Sequence, residues 1–294
     1  MIRSITLLSS LAITSLAIGQ SRQIPSSAPD GPVLLVNGTI HPVTAEPLEG
    51  GWMAFEDGRI TLVGRGDRPS IDQATIIDLG GRHVYPGLVA ADSILGLNET
   101  EMADVTHDYN EQGSFTPEAR VIVAINPASD LIPVTRAAGI LTALVVPEGG
   151  RLPGQAAVIR LDGWDWEDLA VTPSAALVIE WPSMDRPAFG SRSSDNKSAI
   201  KQLDTLNTYL DEAEAYLAAV DANSTLTRDS RAESLRLALA GEQPVLIKAS
   251  TAGQIATAVA WAKGRGLDPV ILGGEEADEV ASILIEHDVP VIVR

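Results

Sequence analysis

The chain has no cysteine among its 294 residues. That absence excludes disulfide bonds, thiolate nucleophiles and cysteine-based zinc sites, and with them a lipid anchor attached to cysteine. Histidine is also scarce, occurring only at His41, His83, His107 and His287. A metal site in this chain would have to draw on those few histidines and on carboxylates.

Basic residues are few. The sequence has 21 Lys and Arg against 39 Asp and Glu, which gives a formal net charge of -18. Such a chain repels nucleic acid and anionic membranes, and no basic cluster offsets the repulsion. We therefore expect no nucleic-acid partner, and we attribute the acidity to solubility.

The N-terminal residues 1–19 have the organisation of a secretory signal peptide. Arg3 precedes an apolar run from Ile5 to Ile18, and small residues stand at Ala17 and Gly19. A membrane anchor is the alternative, but the run is short and interrupted by serine and threonine. We predict cleavage before Gln20 and export to the periplasm or medium, with no membrane association afterwards. Cleavage changes the charge from -18 to -19, because Arg3 is the only charged residue in that segment.

Two predicted units follow the leader. Residues 20–31, "QSRQIPSSAPDG", form a polar linker. Residues 32–84 form a small antiparallel β module with the short β-type runs "PVLLVNGTIHPV" and "GWMAFEDGRITLVG". The Asp57-Gly58 pair within the second run predicts a tight hairpin turn with positive φ.

Residues 85–294 change to an α/β pattern. Apolar runs of strand length lie at 85–90, 140–146, 157–161, 177–181, 245–249, 270–272 and 289–293. Apolar residues recur every three or four positions from Leu203 to Val220, which predicts a helix with one apolar face. Helices also fit residues 252–263 and 275–286. Strands that are apolar throughout and separated by helices favour a parallel sheet covered on both faces. The candidates are an α/β barrel and a doubly wound sheet.

Two features favour the barrel. The connection from Ala91 to Ala138 is long and polar with little periodicity, and in a barrel it would follow the first strand and cover the catalytic face. No strand is followed by the G-x-G-x-x-G turn that is typical of a doubly wound dinucleotide-binding sheet.

The segments "NGTI", "FEDGRITLVG" and "YPGLVAADS", in this order, resemble the amidohydrolase superfamily, especially its imidazolonepropionase-like branch. The resemblance runs from Val33 to Arg294, is strongest at both ends, and is looser from Asn98 to Asn223. It implies half of a composite β-sandwich followed by a metal-binding (β/α)8 barrel. It further implies hydrolysis of amide-like C-N bonds, often in cyclic substrates, by one or two divalent metals.

The residues at the family's ligand positions are not the expected histidines. The histidine pair that follows Pro-Gly falls on Asp92 and Ile94, the fifth-strand histidine on Lys248, and the sixth-strand histidine on Gly273. The aspartate of the eighth strand would lie beyond Arg294. Only Asp92 offers an oxygen ligand, so we predict no conventional metal centre. Zinc or manganese would bind only in a site rebuilt from carboxylates.

Three residues are candidates for chemistry at the barrel mouth: Asp92, Glu180 and Lys248. Glu180 ends a predicted strand, at a position comparable to one where some family members hold metal with a carboxylate. Lys248 could act as a base or a Schiff-base nucleophile, or it could replace the metal charge by pairing with Asp92 or Glu180. The structural role is the favoured one.

Three further residues are candidates for ligand binding. Trp164 and Trp166 alternate in "LDGWDWEDL", and on an extended segment both would face one side and could stack on a small molecule. His107 lies in the long loop over the predicted mouth. Packing explains the tryptophans, and hydrogen bonding within the loop explains the histidine, at least as well.

The sequence thus predicts an incomplete barrel at 85–294, truncated before its last strand. Seven strands are counted where eight are expected, and the second half of the β-sandwich is absent. A fragment of a longer reading frame and a naturally shortened protein both explain this, and the open edge favours association into a homo-oligomer. Two functions remain open. One is a C-N hydrolase with a remodelled site. The other is a non-catalytic exported binding or scaffold protein, and the residues found at the metal-ligand positions favour this second function.

Overall fold

The computed structural model describes residues 25, 27–100, 102, 104–183, 194–223 and 225–294. The predicted leader at 1–19 lies outside the described residues, as do residues 20–24 and 26 of the predicted linker at 20–31. Within the described part of the chain, no helix combines the length and apolar content needed to cross a bilayer.

Among the described residues, the N-terminal sheet has five strands. They are β1 (Val33–Ile40), β2 (Leu48–Glu56), β3 (Arg59–Arg65), β4 (Thr75–Asp78) and β5 (His83–Val84). The order is β3-β2-β1-β4, and β5 also pairs with β1. The β2–β3 hairpin turns at Asp57 and Gly58, both with positive φ, as predicted. The wholly antiparallel prediction is wrong, because β4 and β5 run parallel to β1.

The second sheet has seven strands within the ranges that the structure describes. They are β6 (Leu88–Ser93), β7 (Ile140–Val145), β8 (Gly154–Arg160), β9 (Ala170–Glu180), β10 (Val245–Ala249), β11 (Pro269–Gly273) and β12 (Val291–Val293). They follow one another across the sheet in chain order, which gives a nearly closed barrel. The α/β barrel-type fold is therefore confirmed.

One strand of this sheet contradicts the parallel prediction. β8 is antiparallel to both β7 and β9, whereas the other neighbouring pairs are parallel. The physical reason is the length of the connections. A parallel crossover takes about a dozen or more residues. The links at 146–153 and 161–169 are too short for one, so the chain must turn back at each.

The barrel has an open seam between its first and last strands. β6 and β12 end the strand order and form no ladder with each other in the described chain. An ion pair between Asp92 on β6 and Arg294 after β12 spans the seam. The described strands thus wrap around a common centre without hydrogen-bonded closure.

Seven α-helices accompany the strands in the described part of the chain. They are α1 (Leu131–Ala137), α2 (Trp166–Leu169), α3 (Ser194–Ala222), α4 (Ser230–Ser234), α5 (Arg236–Leu239), α6 (Ala252–Gly264) and α7 (Ala281–Glu286). Short 3-10 helices lie at Asp104–Thr106, Val121–Val123 and Ala277–Val280. The predicted stripe lies on α3, which buries Leu206, Leu210 and Leu217. Thr251 and Gln254 form a capping box that fixes where α6 begins.

The connection between β6 and β7 is more ordered than its polarity predicted. Leu97, Ile122 and Ile132 are fully buried, and they pack with strand residues in one core cluster. Burial of these scattered apolar side chains orders the connection, although its sequence lacks the regular spacing of a helix or strand. Part of this connection runs beside the residues that follow β7, since the Tyr109 backbone carbonyl accepts a hydrogen bond from the Glu148 backbone amide at 2.7 Å.

Candidate functional site

The carboxyl ends of the six parallel barrel strands meet at one rim, which we call the mouth. In α/β barrels this rim carries the active site, because the loops that follow the strands converge there. A cavity of about 350 Å³ opens at the mouth, and we call it the mouth cavity. It is lined by Glu148, Gly149, Glu180, Trp181, Lys248, Ala249, Ser250, Gln254, Leu272, Gly273, Glu275 and Arg294.

Lys248 and Glu180 face each other in this cavity. They are register partners on the adjacent parallel strands β10 and β9. Lys248 Nζ lies 3.0 Å from Glu180 Oε1 and 4.0 Å from Glu148 Oε1, and it donates a hydrogen bond to the Pro147 carbonyl at 3.2 Å. The Lys248 side chain is only 12% exposed. The ammonium is therefore removed from most water and held by oxygen atoms on two sides.

Asp92 pairs with another cation. It lies at the carboxyl end of β6 and accepts a hydrogen bond from Nε of Arg294. This hydrogen bond and the nearby negative charge of Asp92 raise the pKa of Arg294, while burial opposes the rise. Of the two pairings that we predicted for Lys248, the structure shows the one with Glu180.

A second cavity, of about 550 Å³, lies at the open seam. This seam cavity is lined by Ala91, Asp92, Ser93, Ile94, Glu148, Ile292, Val293 and Arg294. Glu148 and Arg294 line both cavities, so the two cavities are neighbours. The predicted site residues Asp92 and Lys248 thus lie in neighbouring cavities at one rim.

Gly273 ends β11 with a φ of +110°, a conformation that L side chains rarely adopt. A Cβ at this position would lie 3.1 Å from the Ala249 carbonyl oxygen and 3.2 Å from Ser250 Oγ. The Ser250 side chain forms a hydrogen bond with the neighbouring Glu275. This hydrogen bond is the largest of the effects that lower the pKa of the Glu275 carboxyl group. A Cβ here would therefore require neighbouring atoms to shift by a few tenths of an ångström, in a backbone conformation that already disfavours a side chain.

Sequence reasoning missed two residues at this site. Trp181 lines the mouth cavity directly after Glu180, is 5% exposed, and donates its indole N–H to Thr257 Oγ1 at 3.0 Å. Arg151 donates hydrogen bonds to the Glu180 carbonyl and to Gln202 on α3. Burial lowers the pKa of Arg151, although the charge of Glu180 opposes this. Only the position of Trp181 at a strand end could have indicated its role.

The predicted ligand-binding tryptophans lie at the other end of the barrel. Arg160, at the end of β8, pairs with Thr142 near the start of β7, so the connection 161–169 lies at the rim opposite the mouth. The segment is not extended, because Trp166 begins α2. Trp164 is 67% exposed, whereas Trp166 packs against the core. The two rings therefore do not share a face, as an extended segment would have required.

The histidines lie away from the mouth. No histidine is among the described residues that line the two rim cavities. His107 lies near the Tyr109 hydroxyl, with its Nδ1 at 3.3 Å. His41 and His83 share a 2.8 Å hydrogen bond in the N-terminal sheet, and His287 caps α7.

The donor set at the mouth does not fit a divalent metal. Lys248 offers a charged ammonium without a lone pair, Gly273 offers no side chain, and Ile94 is apolar. In the described part of the chain, no three His, Cys, Asp or Glu side chains come together in an arrangement that could hold a metal ion. The carboxylates Glu180 and Asp92 are each directed at a cation of the protein itself.

The structure is an α/β barrel with a candidate site at its carboxyl rim. No family model matches the chain, and no curated protein sequence matches it. Among solved structures, it is similar to an amidohydrolase from Thermotoga maritima MSB8, with a TM-score of 0.77 and 25% identity over 89% of this chain and 70% of that one. A prolidase complexed with N-methylphosphonate-L-proline is 17% identical, with a TM-score of 0.45 over 89% of this chain and 66% of that one.

The chain belongs to the amidohydrolase superfamily. The similarity to the T. maritima protein agrees with the resemblance carried by the β-module and first-strand segments.

Proposed function

We propose that this chain is a metal-independent member of its superfamily, whose barrel mouth binds a small molecule instead of hydrolysing a C-N bond at a metal. The observation that carries the proposal is the ion pair between Lys248 and Glu180, at 3.0 Å, in the mouth cavity. An ammonium held there supplies the positive charge that the carboxylates of the mouth require. A divalent cation bound to Glu180 would have to displace this ammonium and would suffer its repulsion.

The surroundings of this pair support the same interpretation. Arg294 neutralises Asp92 in the same way at the seam. Gly273 has a backbone conformation and a crowded Cβ position that disfavour a ligand side chain. Two cations of the chain itself thus take the place of a metal centre. The narrower assignment to the imidazolonepropionase-like branch rests on the sequence segments alone and is part of the proposal.

The competing function is C-N hydrolysis at a site rebuilt from carboxylates. One observation favours it, because Glu148, Glu180 and Glu275 all line the mouth cavity. Oxygen donors suit manganese and can bind zinc. This function requires Lys248 to leave Glu180 when the metal binds.

Metal stoichiometry separates the two functions. The full chain is purified without chelators, and metal per chain is measured by plasma mass spectrometry before and after incubation with zinc or manganese. We expect much less than one ion per chain in both preparations. One or two tightly held ions that are lost in Glu180→Gln would overturn the proposal and direct the work to amide hydrolysis assays.

We also propose that the protein is exported, on the basis of Arg3 and the apolar run from Ile5 to Ile18. The test is expression of the full reading frame with N-terminal sequencing and cell fractionation. We expect a mature N-terminus at Gln20 outside the cytoplasm. Leu8→Arg, which interrupts the apolar run, should leave an uncleaved precursor in the cytoplasm. An intact N-terminus in the unsubstituted protein would contradict export by this route.

A further inference from the structure

Lys248 differs from the other lysines of the chain. There are four lysines in the sequence, and Lys197 and Lys201 are exposed on α3, while Lys263 lies half-buried in the last turn of α6. Lys248 is the one with its side chain in the mouth cavity, 12% exposed and beside a carboxylate. A lysine amine in a cavity that excludes most water can serve as a covalent nucleophile toward a carbonyl group.

We propose that Lys248 captures a small uncharged aldehyde or ketone as a Schiff base, with Glu180 transferring the proton. This inference rests on the proposed function, because a metal bound to Glu180 would remove the proton acceptor. The 3.0 Å contact between Lys248 Nζ and Glu180 Oε1 provides a direct path for that transfer.

The step balances without a co-reactant. The Lys248 ammonium gives one proton to Glu180, and the neutral amine forms a C-N bond with the carbonyl carbon to give a carbinolamine. Glu180 returns the proton to the carbinolamine hydroxyl, the C-O bond breaks, and water leaves. The product is a protonated imine, so one positive charge is present before and after the step. The iminium keeps the ion pair with Glu180, so the mouth has the same charge in the bound state.

The charges of the mouth cavity indicate an uncharged ligand. Three carboxylates (Glu148, Glu180 and Glu275) and two cations (Lys248 and Arg294) line it, and Arg294 is also paired with Asp92, so the mouth carries a net negative charge. An oxo acid would bring a second negative charge toward Glu148 and Glu275. A cavity of about 350 Å³ admits a small molecule of a few heavy atoms together with water. Glycolaldehyde is a suitable probe, because its hydroxyl can hydrogen-bond the polar lining.

Reductive trapping tests the proposal. The full chain is incubated with glycolaldehyde and cyanoborohydride, and the alkylated lysines are quantified by peptide mass spectrometry. We expect Lys248 to be labelled at least about tenfold faster than Lys197, Lys201 or Lys263. Glu180→Gln should slow labelling of Lys248 by about tenfold or more, because general acid-base transfer contributes at least that much. Glyoxylate should label Lys248 more slowly than glycolaldehyde.

Matched variants keep the result interpretable. Lys263→Met should leave the labelling of Lys248 unchanged, and circular dichroism shows whether each variant is folded. Labelling that follows exposure, with Lys197 and Lys201 ahead of Lys248, would overturn the Schiff-base assignment. If metal content is near zero at the same time, the metal-independent function still holds. One bound metal per chain that protects Lys248 from labelling would overturn both.

Discussion

Lys248 Nζ and Glu180 Oε1 lie 3.0 Å apart on adjacent parallel strands, at the carboxyl rim of the barrel. The pair joins β9 to β10 through side chains as well as through the ladder. Its partners are unequal in exposure, with Lys248 at 12% and Glu180 at 32%. Removing the cation therefore leaves a carboxylate that water only partly solvates.

Lys248→Met should lower the free energy of unfolding by about 1 to 3 kcal/mol, between the values for exposed and buried pairs. Metal content should stay unchanged. Denaturant unfolding measures the first quantity and plasma mass spectrometry the second. Lys263→Met is the control and should change stability by less than about 0.5 kcal/mol. An unaltered midpoint in Lys248→Met would contradict the charge-compensating role.

Gly273→His should not restore a metal site. The substitution forces a side chain into a φ of +110° and toward atoms within 3.3 Å, so we expect a loss of at least about 2 kcal/mol. Gly139→Ala is a matched control, because Gly139 has a φ of +92° but nothing within 4 Å of its Cβ position. Gly139→Ala should lower the free energy of unfolding by about 1 kcal/mol, because only the cost of a side chain at positive φ applies there. A stable Gly273→His protein that binds zinc would show that the mouth still accepts a metal.

Ser250→Ala should change the acid sensitivity of the fold. The hydrogen bond from Ser250 lowers the pKa of Glu275 below its usual value of 4.5. A lowered folded-state pKa adds stability above pH 4.5, and this contribution is lost as the pH falls through the folded pKa. The stability difference between the unsubstituted protein and Ser250→Ala should therefore be full at neutral pH and shrink below pH 4.5. Urea unfolding across pH measures it, and Ser250→Thr, which keeps the hydroxyl, should behave like the unsubstituted protein.

Trp181 should report what enters the mouth cavity, and Trp164 should not. Trp181 lines the cavity, whereas Trp164 lies at the opposite rim. On addition of glycolaldehyde and reductant, we expect a change of tryptophan fluorescence that Trp181→Phe largely removes and Trp164→Phe retains. Trp261 lies 5.2 Å from Trp181, ring centroid to ring centroid, and can carry a small residual signal. Loss of the response in Trp164→Phe alone would place the ligand at the other end of the barrel.

Local patterns in the sequence were sufficient for several elements. The Asp57-Gly58 turn, the stripe on α3 and strand β10 follow from positive φ, helical spacing and an apolar run, and each depends on near neighbours in the chain. The replacements at Asp92, Ile94, Lys248 and Gly273 were also evident, because side-chain chemistry is written in the sequence. These features predicted the fold class, which the structure confirms, and they support the proposal that the mouth holds no metal.

Only the tertiary structure decided which charged side chains form ion pairs. The pairing of Lys248 with Glu180, rather than with Asp92, follows from the register of β10 on β9 and from Arg294 crossing the seam to Asp92. The reversal of β8 moved Trp164 and Trp166 to the rim opposite the mouth, an arrangement that no local pattern could indicate. Composition and spacing determine which elements form. Strand direction and register, set by contacts between distant residues, determine which side chains share a cavity.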